Sequence, residues 1–280
     1  MAKIEYHLFR VKLVKPMQIS LLEGGRTPED YFREALQERP SIRLRGENAW
    51  HVGNLRQFTD STGYFAFGRT TRRNVAMFDA SSGDFLEEAS EESPYTHVVF
   101  NAHLGTVAIA RKSSLSPTVF GLASRLRKLL NAAKVITEND IQVRIDPISD
   151  PADFIKRVHT AYSVTAFAAS FTGPNPFDAD EYFQKPLSVY LRAAGGENGK
   201  ATITGTDLDR DVVEAVSRST ASTGNDASAK IRENAAGPPL TIHMRGDTVR
   251  ATYEEESHDV QKVLEDFDQR YLELRAIERD

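Results

Sequence analysis

Tyr95–Arg111, YTHVVFNAHLGTVAIAR, decides how the rest of the chain is read. Two apolar, β-branched runs, Tyr95–Phe100 and Thr106–Arg111, flank Asn101-Ala102-His103-Leu104-Gly105, a polar break ending in glycine. Strand formers on both sides of such a break predict a hairpin, and the lack of polar alternation predicts that it is buried. Directly after it, Ser116-Pro117 supplies a capping side chain and a proline at the first helical position, so a helix is expected to run to Ala133. A buried hairpin followed by a strong helix points to an α+β fold.

Upstream, Glu5–Val14 (EYHLFRVKLV) alternates and reads as a strand stopped by Pro16. Thr27-Pro28-Glu29-Asp30 starts a helix that runs to about Glu38. Ile42–Leu44, Ala49–Phe58, Tyr64–Arg72 and Val75–Asp79 read as strands, with Ser81–Ser93 as a loop or short helix. Together with Asp140–Ile145 they form an N-terminal mixed or antiparallel sheet carrying helices, over residues 1–148. Residues 149–280 form a second α+β domain. Its core is a β–α–β unit built from His159–Phe171, Asp178–Arg192 and Lys200–Thr204. Asp207–Ser219 is helical, Asn225–Asn234 is a candidate helix, and Leu240–Met244 with Thr248–Tyr253 forms a hairpin. A long terminal helix spans Ser257–Ile277. Its stripe Val260, Val263, Leu264, Phe267, Tyr271, Leu274 and Ile277 either packs on its own domain or forms a two-fold interface.

The chain has 280 residues and no cysteine, which excludes disulfides, thiolate metal sites and thiol nucleophiles. No apolar run reaches the ~18 residues of a membrane span, and the N-terminus does not read as a signal peptide, so the expected compartment is the cytoplasm. Net charge is −5, but placement matters more than the sum. Between Lys112 and Thr137 there are bases and no acid, while Glu254–Asp280 holds ten acids against four bases.

On a helical projection Leu122, Leu126, Leu129, Leu130 and Ala133 share one side, and Arg125, Arg127 and Lys128 fan across the other. Arg111 and Lys112 end one strand; Arg69, Arg72 and Arg73 follow another. If those strand ends lie beside the helix, eight cations converge on a surface suited to phosphate, with no base reading needed. The alternative is a solvated helix face with strand-end arginines that guard the edges.

His103 is a candidate catalytic histidine but reads better as a turn residue; His243 and His258 read as surface. No zinc-type ligand spacing, phosphate-binding loop or hydrolase elbow occurs, and no cofactor is implied. Asp140-x-Gln142-x-Arg144 has one acid of a nuclease-like strand and lacks the second acid and the lysine. The hydroxyl-rich Thr220–Ser228 could cradle an anion or simply cap a turn.

Trp50-His51-Val52-Gly53, Gly63-Tyr64-Phe65-Ala66-Phe67-Gly68-Arg69-Thr70 and Thr96–Arg111 together resemble RexA-like phage-exclusion proteins. More distantly they resemble KwaB of the Kiwa defence system. The resemblance is specific around residues 50–130. It implies a dimeric protein of phage defence or prophage exclusion that binds DNA without strong sequence preference, and in the Rex pair the DNA-binding member acts with a membrane partner; the residues themselves point to non-catalytic recognition. Of the basic positions only Arg111 falls on the shared motif; the others come from the helical geometry. Two other functions fit the sequence: an adaptor that binds a protein through the terminal helix, and a divergent metal-dependent nuclease.

Overall fold

The computed structural model describes residues 2–14, 26–45, 48–172, 183–244 and 247–275. Pro16, expected to stop the first strand, lies outside them.

β1 (Lys3–Val14) alternates its side chains between two cores. Phe9 and Val11 enter one; Tyr6 and Leu8 enter the other. One edge of β1 pairs with β7 (Thr106–Ala110), through Tyr6↔Ala110 to Arg10↔Thr106. Its other edge takes two partners end to end. β13 (Arg250–Glu254) covers Lys3 to His7, and β8 (Gln142–Pro147) covers Phe9 to Val14. Beyond β7 the nine-stranded sheet continues through β6 (Tyr95–Asn101), β4 (Thr62–Asp79), β3 (Asn48–Gln57) and β2 (Ser41–Arg45). The expected hairpin Tyr95–Arg111 is therefore the β6–β7 pair at mid-sheet. Both of its faces are covered, which is why its sequence is apolar without alternation.

On one face, α1 (Pro28–Gln37), α2 (Val119–Asn131) and α3 (Lys134–Glu138) cover Phe65, Phe67, Val98, Phe100 and Ile109. On the other, α7 (Val260–Arg275) covers Tyr64 and Val99, together with α4 (Ala152–Thr160), α6 (Arg210–Ser222) and a second sheet. That sheet has the order β10 (Asn198–Thr204), β9 (Ser163–Thr172), β11 (Ala227–Arg232), β12 (Leu240–His243), and α5 (Gln184–Ala193) packs on β9. Two buried cations of β1 tie the layers together. Arg10 Nη1 donates to Tyr271 of α7 at 2.6 Å, and Lys12 meets Asp146 of β8 and Thr172 of β9, each at 3.0 Å.

The fold is α+β, as the sequence suggests, and several elements differ from expectation. Every pairing among the described strands is antiparallel, including β9 with β10, so the N-terminal sheet is not mixed. Tyr64–Arg72 and Val75–Asp79 are one strand, and the expected loop at Ser81–Ser93 is largely β5 (Asp84–Glu92). The β4 register runs unbroken from Thr62↔Asn101 on β6 to Asp79↔Asp84 on β5. The two partner strands are separated only at Ser93-Pro94, because proline has no N–H to return to β4. Gly68 faces that point, and a Cβ there would lie 2.2 Å from the Pro94 carbonyl oxygen. Ala227–Arg232 is strand, not helix, since it fills the place between β9 and β12. The expected terminal hairpin does not form. β12 pairs with β11, while β13 crosses back to β1. The chain after residue 149 thus contributes a strand and a helix to the N-terminal sheet.

Leu126, on the inner side of α2, is fully buried. Replacing it with alanine leaves a cavity between helix and sheet, and Leu126→Ala is expected to lower unfolding free energy by about 2–5 kcal/mol in urea denaturation.

Candidate nucleic-acid interface

α2 starts later than its sequence suggests. Thr118, not Ser116, is the N-cap, accepting the Gly121 N–H at 3.1 Å. Ser116 is buried instead, and its hydroxyl accepts from Arg125 Nη1 at 3.1 Å. Val119, Leu122, Ala123, Leu126, Leu129 and Leu130 bury the inner side as expected. Arg127 and Lys128 are left exposed on the outer side.

These two cations line a groove of about 500 Å3 between the C-terminal half of α2, β8 and Ile42 of β2. The wall on the β8 side is closed by Asn131. Its amide copies a neighbouring strand, donating to the Val143 carbonyl at 2.8 Å and accepting the Val143 N–H at 2.9 Å. Nearby acids already have partners: Asp146 meets Lys12 at 3.0 Å, and Glu197 meets Arg144 at 3.3 Å. Arg127 and Lys128 have no carboxylate within ion-pair distance among the described residues. Arg144 also lines this groove, although the sequence singles it out only in a nuclease-like pattern. Alternation along β8 was the available signal, since it turns Arg144 away from the buried Val143 and Ile145.

The other expected cations divide. Arg69 lies opposite Trp50 in the β3–β4 register, and the Arg125 guanidinium sits 5.3 Å from the Trp50 ring centroid. Arg69 also donates to the Ser114 carbonyl at 3.3 Å. These two arginines therefore meet around Trp50 and the loop that leads into α2. Arg111 and Lys112 are exposed at the start of that loop. Their fields reach different groups, Arg111 acting on His7 and Lys112 on His97. Arg72 does not join the set: it lies on the far half of β4, where Glu91 holds its Nε at 3.2 Å. The Arg73 side chain is outside what the structure describes. The single wall of eight cations is thus not formed as expected. The structure instead brings together Arg69 with Arg125 around Trp50, and Arg127 with Lys128 on α2, while Arg111 and Lys112 stay exposed at the start of the loop and act on His7 and His97.

Sequence reasoning missed a second cluster on the opposite face of the sheet. The Tyr6 hydroxyl hydrogen-bonds His258 Nε2 at 2.7 Å, and the Tyr64 hydroxyl bonds His97 Nδ1 at 2.9 Å. The two imidazoles lie 5.2 Å apart, with Tyr95 edge-on to His97. His258 is therefore half-buried in this cluster, while His243 is exposed as expected. His258 reaches this cluster because β13 returns to β1 and sets α7 above it, a long-range event that leaves no local signal.

Other candidates resolve plainly. His103 is exposed and lies 3.7 Å from Glu29. The hydroxyls of Thr220, Ser222 and Thr223 bond backbone carbonyls of their own helix end and are buried, so they do not form an anion cradle. Asp140 sits outside β8 at φ 54°, off the strand face that carries Gln142 and Arg144. The α7 stripe Val263, Leu264, Phe267, Tyr271 and Leu274 is buried within its own chain, which leaves it closed to a partner; Ile277 is outside the described residues. Among the described residues no helix is long and apolar enough to cross a membrane. No protein-family model matches the chain, and no curated protein matches it.

The histidine pair makes stability pH-dependent. Burial, then the neighbouring His258 and Lys112 charges, hold His97 below the usual imidazole value, against the opposing pull of Glu255. Burial also lowers His258, against Asp259 and Glu255. Both rings therefore favour the neutral form in the fold, and the unfolded chain takes up protons first. The stability present above about pH 6.5 is lost as pH falls through the lowered values. Asp268 works in the other direction, because burial raises it to about 6 despite the Asn101 hydrogen bond. Urea midpoints measured from pH 8 to pH 5 in wild type and His97→Asn/His258→Asn separate the two effects. The loss on acidification is expected to be smaller in the double variant.

Proposed function

We propose that the chain binds nucleic acid, duplex DNA in the first instance, through phosphate contacts that read no base sequence. The observation that carries this reading is the pair Arg127 and Lys128. Both are exposed on one helix in a groove whose lining acid, Asp146, is already matched by Lys12. Arg69 and Arg125, braced on Trp50 and the loop before α2, with Arg111 and Lys112 exposed at the start of that loop, provide a second point of contact for the same backbone. Cations held in place by such braces lose less freedom on meeting phosphate than free side chains do.

The acid-rich α7 packs on the opposite face of the sheet, which supports a strand approaching from the α2 side. No bond is broken in this reading; the chemistry is charge neutralisation with release of counterions. The resemblance of residues 50–130 to RexA-like proteins supports a cytoplasmic setting in phage defence or prophage exclusion. It also supports action as a dimer, with a membrane or protein effector.

Fluorescence anisotropy with a random-sequence duplex tests this. Affinity is expected to fall steeply between about 50 and 200 mM salt. Arg127→Ala/Lys128→Ala is expected to weaken binding to all sequences alike and to reduce the salt slope by about 2. Arg72→Ala, already engaged by Glu91, is expected to leave both unchanged. Absence of binding at low salt, or binding indifferent to salt, overturns the reading.

A further inference from the structure

Past Thr70, β4 leaves the sheet. The β3 register ends at Ala49↔Thr70, and from Thr71 to Asp79 β4 pairs only with β5. The result is a two-stranded arm, residues 71–92. A lone two-stranded hairpin is marginal in water, and this one exposes large apolar side chains on both faces. Met77 pairs across to Leu86 on one face, and Phe78 to Phe85 on the other with ring centroids 5.2 Å apart. These four are 54%, 48%, 58% and 79% exposed, respectively for Met77, Leu86, Phe78 and Phe85.

The two edges of the arm are not alike. β5 carries Asp84, Glu87, Glu88, Glu91 and Glu92, so a second β5 edge would meet it with like charges. On β4 the segment Asn74-Val75-Ala76-Met77-Phe78 is uncharged, with Arg72 and Arg73 before it and Asp79 after it. Natural edges are usually guarded by charge or proline; this one is not. The Arg69 N–H donates to Pro94. Alternation from there turns the N–H and C=O groups of Asn74, Ala76 and Phe78 away from β5, toward the open side.

We propose that this β4 edge is a docking surface for a second copy of the chain, joined antiparallel about a two-fold axis at Ala76. The charge pattern selects that occupant. It is positive at one end, apolar in the middle and negative at the other end, so a two-fold rotation lays each end on its opposite. Ala76 then faces the partner's Ala76, Val75 faces the partner's Met77, and Arg73 faces the partner's Asp79. The arms become a four-stranded sheet, and the contact closes on itself without leading to a filament. This inference gives a surface to the dimer proposed above and does not depend on nucleic-acid binding.

The absence of cysteine in the sequence makes the test direct. Ala76→Cys places a lone thiol on the axis, where paired Cα atoms lie about 5.5 Å apart. A short bis-maleimide is expected to link two chains of this variant. It is expected to leave Ser82→Cys unlinked, since that residue sits in the turn at the tip of the arm and at about 3.3 Å per residue the two thiols lie roughly 30 Å apart. Light scattering should give twice 31.2 kDa for wild type. Ala76→Pro removes an N–H that the arm does not use, and it should give a monomer with unchanged circular dichroism. A wild type that stays monomeric at all concentrations overturns the proposal. So does a dimer that keeps its mass in Ala76→Pro and leaves Ala76→Cys unlinked. Because Ala76→Cys is expected to be crosslinked without disrupting the contact, it tests the surface even if the proline variant fails to fold. DNA affinity, measured in parallel, fails or holds independently of these outcomes.

Discussion

The molecule is organised by one strand whose two faces are both buried and whose two edges are both paired. β1 gives Phe9 and Val11 to the core beneath the N-terminal helices, and Tyr6 and Leu8 to the core beneath α7. Further along, the same strand turns Arg10 and Lys12 into the second core, where nearly all of their surface is lost. Charges so placed require partners, since an unmatched buried cation is strongly destabilising. Tyr271, Asp146 and Thr172 come from α7, β8 and β9 to meet them. The contacts with Tyr271 and Thr172 fasten α7 and β9, from the C-terminal half of the chain, to the N-terminal sheet.

The same arrangement shapes the candidate interface. With Lys12 matched to Asp146, the acid that lines the groove is neutralised, and Arg144 on the same wall takes up Glu197. Arg127 and Lys128 then project their charge outward from a chain whose net charge is −5. A protein anionic in sum can hold a cationic surface in this way, because fields between exposed charges decay over about 8–10 Å in physiological salt. The acids of α7 lie on the far side of the sheet, beyond a layer of packed side chains.

Burial period separates what could be read along the chain from what could not. α2 and the β6–β7 hairpin are local statements, one by its helical apolar stripe and the other by its unbroken apolar runs, and both stand close to where the residues put them. Ser81–Ser93 failed because an exposed hairpin arm has no buried face and so no apolar alternation to betray it as strand. Ala227–Arg232 failed because its strand character comes from neighbours about sixty residues away on β9. Arg72 shows the same limit at a site: its sequence neighbourhood is basic, yet Glu91, nineteen residues on, takes it up across the hairpin.

The residues alone determined the class of fold, the inner and outer sides of α2, the acid-free run around it and the lack of any thiol chemistry. These depend on periodicity and composition, which need no knowledge of distant contacts. Tertiary structure decided that β12 and β13 part company, that His258 meets His97 above the sheet, and which cations keep their charge unmatched. Each of these is settled by groups far apart in the chain competing for the same partner, and local sequence carries no term for that competition.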